Sequence, residues 1–76
     1  MRRKRTTLGV GIAGLGHVGR ATARLLRKHT GIRLKAVAGR KATARARALG
    51  LPASVRRHAS WKSLVADPAV DVVVEL

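Results

Sequence analysis

Three glycines with the spacing Gly14-x-Gly16-x-x-Gly19 are the residues of this chain with the clearest chemistry. The first glycine of such a loop permits a tight turn, the second lets a phosphate approach the backbone, and the third lets a helix pack closely on a strand. A helix that begins there offers free N–H groups and the positive end of its dipole to phosphates. We expect a pyrophosphate of a dinucleotide to bind along this loop: Gly14, Leu15, Gly16, His17, Val18 and Gly19.

The context of the glycines decides how specific the motif is, because 8 of the 76 residues are glycine. An apolar run over 8–13 comes directly before the loop, and a helical pattern follows it directly, as a dinucleotide-binding βαβ unit requires. The alternative is a glycine-rich turn between strand and helix that binds nothing. The role of His17 stays open between a phosphate hydrogen bond and a side chain that faces solvent.

Two basic residues follow the second predicted strand. An NAD site usually has an Asp or Glu about 20 residues beyond the glycines, where it accepts a hydrogen bond from the ribose 2′-OH. This chain has Arg40 and Lys41 in that region, and an arginine can form a forked contact with a 2′-phosphate. The sequence therefore favours NADP over NAD, although in so basic a chain both residues could be merely solvated cations.

Alternating strands and helices must position these residues. The hydropathy pattern predicts strands over 8–13, 32–38, 54–57 and 70–76, and helices over 17–28, 42–49 and 61–66. Such alternation predicts an α/β fold: a partial Rossmann-type, doubly wound parallel sheet of strand order 3-2-1-4 in a three-layer αβα arrangement. Glu75 would then end the last strand beside the ligand crevice, where it either contacts the ribose or nicotinamide or merely offsets the positive field.

The same patterns predict which side chains face the core. On the first helix the apolar stripe should consist of Val18, Ala21, Leu25 and Leu26. On the second strand, simple alternation places Ile32, Leu34, Ala36 and Ala38 on one face. Trp61, the only aromatic residue, is expected to pack the third helix onto the sheet.

The composition excludes several classes of protein. Without cysteine there is no disulfide framework or thiolate site, and no apolar run approaches the roughly 18 residues needed to span a membrane. We expect no metal site and no catalytic residue set, and the absence of a signal peptide makes a cytoplasmic protein the default. With 17 basic and 3 acidic residues, a net charge of +14, the chain should also bind polyanions without specificity.

The segments 10–19, 34–41 and 67–76 together resemble the N-terminal segment of homoserine dehydrogenase. The closing Asp-Val-Val-Val-Glu-Leu is the more discriminating part, since the glycine loop is shared by many families. The resemblance implies NAD(P)-dependent interconversion of aspartate β-semialdehyde and homoserine, in threonine and methionine synthesis. It also implies a substrate and dimerisation domain that carries the catalytic lysine and aspartate further along such chains. L-aspartate dehydrogenase and glucose–fructose oxidoreductase-like families share the same opening.

We therefore expect a basic, mobile tail over 1–7 and a dinucleotide-binding half-domain over 8–76, truncated before any substrate domain and inactive alone. A dehydrogenase fragment of another substrate class is the first alternative. A basic nucleic-acid-binding module is the alternative from a different class, although the chain has no aromatic pattern for stacking bases. The edge of the last strand is also expected to promote self-association.

Overall fold

A computed structural model describes residues 7–29 and 31–75 of the chain. The predicted tail over 1–7 lies outside the described residues except for Thr7, as does Leu76. The described chain contains, in order, the following strands and helices: β1 Leu8–Ala13, α1 His17–Leu26, β2 Ile32–Ala38, α2 Ala42–Ala48, β3 Arg56–His58, α3 Trp61–Val65 and β4 Val72–Glu75.

The four strands form one parallel sheet in the order β3-β2-β1-β4. Helices α1 and α2 pack on one face around a core that contains Ile12, Val37 and Ala46, and α3 packs on the other through Leu64. The predicted three-layer arrangement with strand order 3-2-1-4 is confirmed. The strand order reverses beside β1, so the carboxyl ends of β1 and its two neighbours surround the region where such folds bind ligands.

A β-bulge changes the predicted faces of β2. Val10 pairs with Leu34 but Gly11 pairs with Ala36, so Lys35 is an extra residue in β2. Leu34 consequently joins Val37 in the core under α1 and α2, while Ala36 packs on the α3 side. The prediction that Leu34 and Ala36 share a face is wrong, because one inserted residue reverses the alternation beyond it.

Two helices bury other residues than the sequence indicated. On α1 Gly19 and Ala23 are buried, whereas Ala21 is exposed and Leu25 is 64% exposed. On α3 the buried residue is Leu64, and Trp61 is 59% exposed. The prediction of a core contact is confirmed for Leu26, which packs against the core, and is wrong for Ala21, Leu25 and Trp61. On α1 the side that faces the sheet carries Gly19, Ala23 and Leu26, so Ala21 and Leu25 point away from it.

A buried carboxylate fixes the segment between α3 and β4. Asp67, 1% exposed, accepts hydrogen bonds from Arg56 Nη1 at 2.8 Å and from the Ala69 N–H at 2.9 Å, and its Oδ2 lies 2.9 Å from His58 Nε2. The hydrogen bond with His58, followed by that from Ala69, lowers the pKa of Asp67, and the nearby Arg56 charge acts in the same direction. Since Arg56 and His58 both belong to the edge strand β3, these hydrogen bonds connect β3 to the segment that leads into β4.

Candidate functional site

Main-chain hydrogen bonds and backbone conformations position the glycine loop that follows β1. Gly14 has φ of 101°, a conformation that favours glycine, and its N–H donates to the Ala38 carbonyl at the end of β2 at 2.8 Å. Gly16 is the N-cap of α1, with φ of −79°, and its carbonyl accepts the hydrogen bond of the Arg20 N–H at 2.9 Å. A Cβ on Gly16 would meet only Arg45 Nη1, at 3.5 Å. One side of the Gly16 Cα is therefore open enough for a ligand to approach.

The turn between β2 and α2 lies beside this loop. Its Gly39 has φ of 149°, again a conformation for glycine, and the Gly39 N–H donates to the His58 carbonyl at the end of β3 at 3.1 Å. Arg40 and Lys41 follow and are both exposed. Main-chain hydrogen bonds thus connect the ends of β1, β2 and β3, and they set the position of both loops.

The two loops enclose a cleft of about 270 Å³. The residues that line it are Gly14, Leu15, Gly16, Gly39, Arg40, Lys41, Ala42 and Arg45. The structure therefore places the first half of the glycine motif and the two basic residues of the sequence prediction around one cavity.

The sequence reasoning missed three lining residues, Gly39, Ala42 and Arg45, of which Arg45 is the charged one. Its guanidinium donates to the Leu15 carbonyl at 3.0 Å, so it reaches from α2 across to the glycine loop. The available signal was its position four residues after Lys41, because one turn of a helix brings a residue back above the N-cap, and the Arg45 N–H donates to the Lys41 carbonyl at 2.9 Å. The alternation of Ala and Arg in α2 concealed that signal among cations of equal appearance.

The other predicted residues lie on α1 and β4. His17 and Val18 form the start of α1, and Gly19 is a buried residue in its first turn. Glu75 ends β4 opposite Ala13 of β1 and is exposed, on the other side of β1 from the cleft. The structure therefore does not bring Glu75 together with Arg40 and Lys41.

The chemistry of the cleft suits an anion. Among the side chains that the structure describes, the ionisable residues that line it are three cations, Arg40, Lys41 and Arg45, and the α1 N-terminus opens next to it. The phosphate groups of a dinucleotide fit these residues: N–H groups at the start of α1 would hold a pyrophosphate, and the cations would hold a further phosphate. Within residues 7–29 and 31–75, no three His, Asp or Glu side chains are grouped to hold a metal ion.

Comparison with protein families identifies the chain. The model of the homoserine dehydrogenase NAD-binding domain matches residues 14–76, which include the glycine loop and three of the four strands. This chain belongs to that family. The predicted resemblance is confirmed, and the fold is that of the NAD-binding domain of an oxidoreductase. A comparison with curated proteins found no match to the chain.

Solved structures with the same fold belong to longer chains. An NAD-binding oxidoreductase from Klebsiella pneumoniae is 30% identical with a TM-score of 0.77, over 92% of this chain and 21% of its own. The myo-inositol dehydrogenase from Lactobacillus casei, solved with NAD(H) and myo-inositol, is 30% identical with a TM-score of 0.76, over 92% of this chain and 21% of its own. GenD2 from gentamicin A biosynthesis, solved with NAD, is 26% identical with a TM-score of 0.75, over 100% of this chain and 22% of its own.

The chain thus spans about a fifth of the length of these structures. Among the residues that the structure describes, none of the helices is long and apolar enough to cross a membrane.

Proposed function

We propose that this chain is the NADP-binding portion of a homoserine dehydrogenase-like oxidoreductase. The observation that carries the proposal is the cleft in which the glycine loop faces Arg40 and Lys41, with no carboxylate among its lining residues. An acidic residue at this place would accept from the ribose 2′-OH of NAD and would repel a 2′-phosphate. The known function of the family supports the dinucleotide, and the two cations favour its phosphorylated form.

In this proposal each part of the cleft holds one part of the ligand. The open side of Gly16 and the N–H groups at the start of α1 hold the pyrophosphate, while Arg40 and Lys41 hold the 2′-phosphate. Glu75, at the end of β4, would lie toward the nicotinamide half across β1. When bound, the dinucleotide supplies the hydride chemistry, and we expect the chain by itself to bind it without turnover.

The substrate is assigned from the family alone. The family match over residues 14–76 favours interconversion of aspartate β-semialdehyde and homoserine as the first candidate. The likeness to a myo-inositol dehydrogenase at 30% identity favours a second candidate, the oxidation of a polyol hydroxyl. Turnover assays of this chain, and of any longer protein that contains it, with homoserine and with myo-inositol, each with NADP and NAD, would separate the two candidates.

Calorimetric titration with NADPH and NADH, at low and at moderate salt, tests the cofactor. We expect saturable binding that favours NADPH, and Arg40→Ala should weaken NADPH roughly 10-fold because it removes a charge-assisted contact. Binding of NADH should change less than about twofold. Arg33→Ala is the matched control, since Arg33 is an exposed cation near the opposite end of β2.

Each other outcome contradicts a defined part of the proposal. Equal affinities for NADPH and NADH would refute the 2′-phosphate assignment. Binding that a duplex oligonucleotide matches, and that moderate salt abolishes, would indicate a non-specific polyanion surface instead. If neither NADPH nor NADH binds, the cofactor function is refuted altogether. Self-association through the edge of β4 stays a prediction, and sedimentation of the same samples would test it.

A further inference from the structure

The last residue of the edge strand β3, His58, makes contacts on two sides. Its imidazole Nε2 lies 2.9 Å from Oδ2 of Asp67, and its main-chain carbonyl accepts a hydrogen bond from the Gly39 N–H at 3.1 Å. The first contact belongs to the side chain and the second to the main chain of the same residue. His58 therefore links a buried carboxylate to the turn between β2 and α2, which borders the cleft.

Asp67 is a firm anchor for this link. Its side chain is 1% exposed, and its carboxylate also accepts a hydrogen bond from the Ala69 N–H. Its main chain is fixed as well, because the Asp67 N–H donates to the Leu64 carbonyl at 3.1 Å and the Asp67 carbonyl accepts from the Val70 N–H at 3.0 Å. Since Leu64 is fully buried between α3 and the sheet, the core on the α3 side holds the carboxylate in place.

The strand β3 depends on such an anchor because it is short. It spans only Arg56–His58, and within the described sheet it pairs with β2 only, with His58 opposite Ala38 as the last pair. The end of a short edge strand opens readily, since few ladder bonds hold it. The contact with Asp67 holds the residue at which opening would begin, and it thereby holds the carbonyl that accepts from Gly39.

Gly39 is the residue at which this link reaches the cleft. Its N–H is bonded to β3, and its carbonyl accepts the N–H of Ala42, the first residue of α2, at 3.2 Å. Arg40 and Lys41 lie between these two attachments, and both line the cleft. A loss of the bond from Gly39 to β3 would therefore let the two cations move relative to the glycine loop.

We propose that His58 is a positioning residue for the dinucleotide: its contact with Asp67 holds the turn after β2 in the conformation that receives the adenosine end of the ligand. This inference rests on the proposed function, and it adds a residue that is not among those described as lining the cleft. A turn that is ordered before the ligand arrives loses less freedom on binding, so His58 contributes affinity without touching the ligand.

The test compares His58→Leu with the unmodified chain by amide hydrogen exchange and by titration with adenosine 2′,5′-bisphosphate and inorganic pyrophosphate. His58→Leu removes the side-chain donor, and we expect the Gly39 amide to exchange roughly 10-fold faster relative to the Gly14 amide, which is bonded to β2 instead. The bisphosphate, which reaches the turn, should bind roughly 5- to 10-fold more weakly. Pyrophosphate, which reaches only the glycine loop, should stay within about twofold.

Two further variants separate positioning from stability. Arg56→Ala removes another partner of the same carboxylate, since Arg56 Nη1 donates to Asp67 at 2.8 Å, but it keeps the contact at the strand end. It should leave both the exchange ratio and the affinity for the bisphosphate within about twofold. His58→Gln should restore both quantities toward those of the unmodified chain, because a glutamine amide can donate to the carboxylate.

The outcomes distinguish this role from a purely structural one. If Arg56→Ala weakens the bisphosphate as much as His58→Leu does, the contacts of Asp67 act through overall stability and the assignment is overturned. Unchanged exchange of Gly39 in His58→Leu also overturns it, and this measurement needs no ligand. His58→Ser repeats the test with a polar side chain too short to reach Asp67, and unfolding of both variants would show that His58 serves the fold as a whole. If Gly39 responds as expected but the unmodified chain binds neither NADPH nor NADH, the proposed function has failed and the link from Asp67 to Gly39 has not.

Discussion

Replacement of Gly16 by alanine is the most direct test of the phosphate loop, because the structure separates its effect on the fold from its effect on the ligand. Gly16 has a negative φ of −79°, so an L-residue can adopt its backbone conformation. Among the described atoms, a Cβ there would meet only Arg45 Nη1, at the ordinary contact distance of 3.5 Å. The fold therefore does not need a glycine at this position.

The expected loss of stability is small. Alanine is a poorer N-cap than glycine, and the difference amounts to about 1 kcal/mol or less. For a domain of this size that free energy lowers the melting temperature by about 4–8 °C at most. Gly9→Ala provides the contrast, because its Cβ would lie 2.1 Å from the Ala69 carbonyl oxygen and would force main-chain atoms apart. We expect Gly9→Ala to cost about 3 kcal/mol or more.

The expected loss of binding is large by comparison. The new methyl group would occupy the side of the Gly16 Cα from which the pyrophosphate approaches. Such overpacking costs about 1–3 kcal/mol, which corresponds to a roughly 5- to 150-fold weakening of both NADPH and NADH. Calorimetric titration measures the affinities, and thermal melting followed by circular dichroism measures the stability of the same samples.

Two results would refute this reasoning. If Gly16→Ala binds both dinucleotides as tightly as the unmodified chain, the ligand does not approach the backbone at Gly16. If Gly16→Ala unfolds as readily as Gly9→Ala, the glycine is required by the fold and the open side of the loop is not a binding surface.

Two further predictions concern the stability of the domain. Asp67→Asn should destabilise it by about 3 kcal/mol at neutral pH, because the buried carboxylate accepts several hydrogen bonds. Since the hydrogen bond with His58 lowers the pKa of Asp67, its stabilisation should be complete above about pH 4 and be lost as the pH falls through the lowered pKa. Urea titrations between pH 7 and pH 2 should show this loss of stability in the unmodified chain and in the control Glu75→Gln, and a smaller loss in Asp67→Asn. If the free energy of unfolding falls equally with pH in all three proteins, the assignment to Asp67 is contradicted. Separately, a Cβ on Gly11 would lie 2.8 Å from Leu64 Cδ1, so Gly11→Ala should be destabilising alone and less so in combination with Leu64→Ala. Urea titration of the four proteins measures this coupling, and strictly additive effects would show that the two side chains do not compete for space.

Much of the fold follows from short-range patterns in the sequence. The run over 8–13 is apolar on both faces, and that alone indicates a central strand of a parallel sheet. The alternation of strands and helices then determines the strand order, because right-handed crossovers leave few other arrangements. The observed helices end one or two residues before their predicted ends. The reason is that turn residues such as Arg27 and Leu49 have helical dihedral angles without belonging to the helix.

The features that the sequence did not predict all depend on contacts between distant segments. The bulge at Lys35 is a property of how β2 pairs with β1, and β2 alone carries no sign of it. The network around Asp67 joins residues of β3 to the segment before β4, although those residue types are usually exposed. Arg45 was missed for the same reason, because its partner is a carbonyl group 30 residues earlier in the chain.

The hydrogen bonds from Gly14 to Ala38 and from Gly39 to His58 have an evolutionary consequence, because they join main-chain atoms only. Side chains at the ends of β1 and β2 can be exchanged without displacing the loops that these bonds anchor. Under the proposed function, a lineage could therefore retune the preference for one nucleotide over another by substitutions at Arg40 or Lys41, while the main-chain frame that receives the pyrophosphate is inherited unchanged.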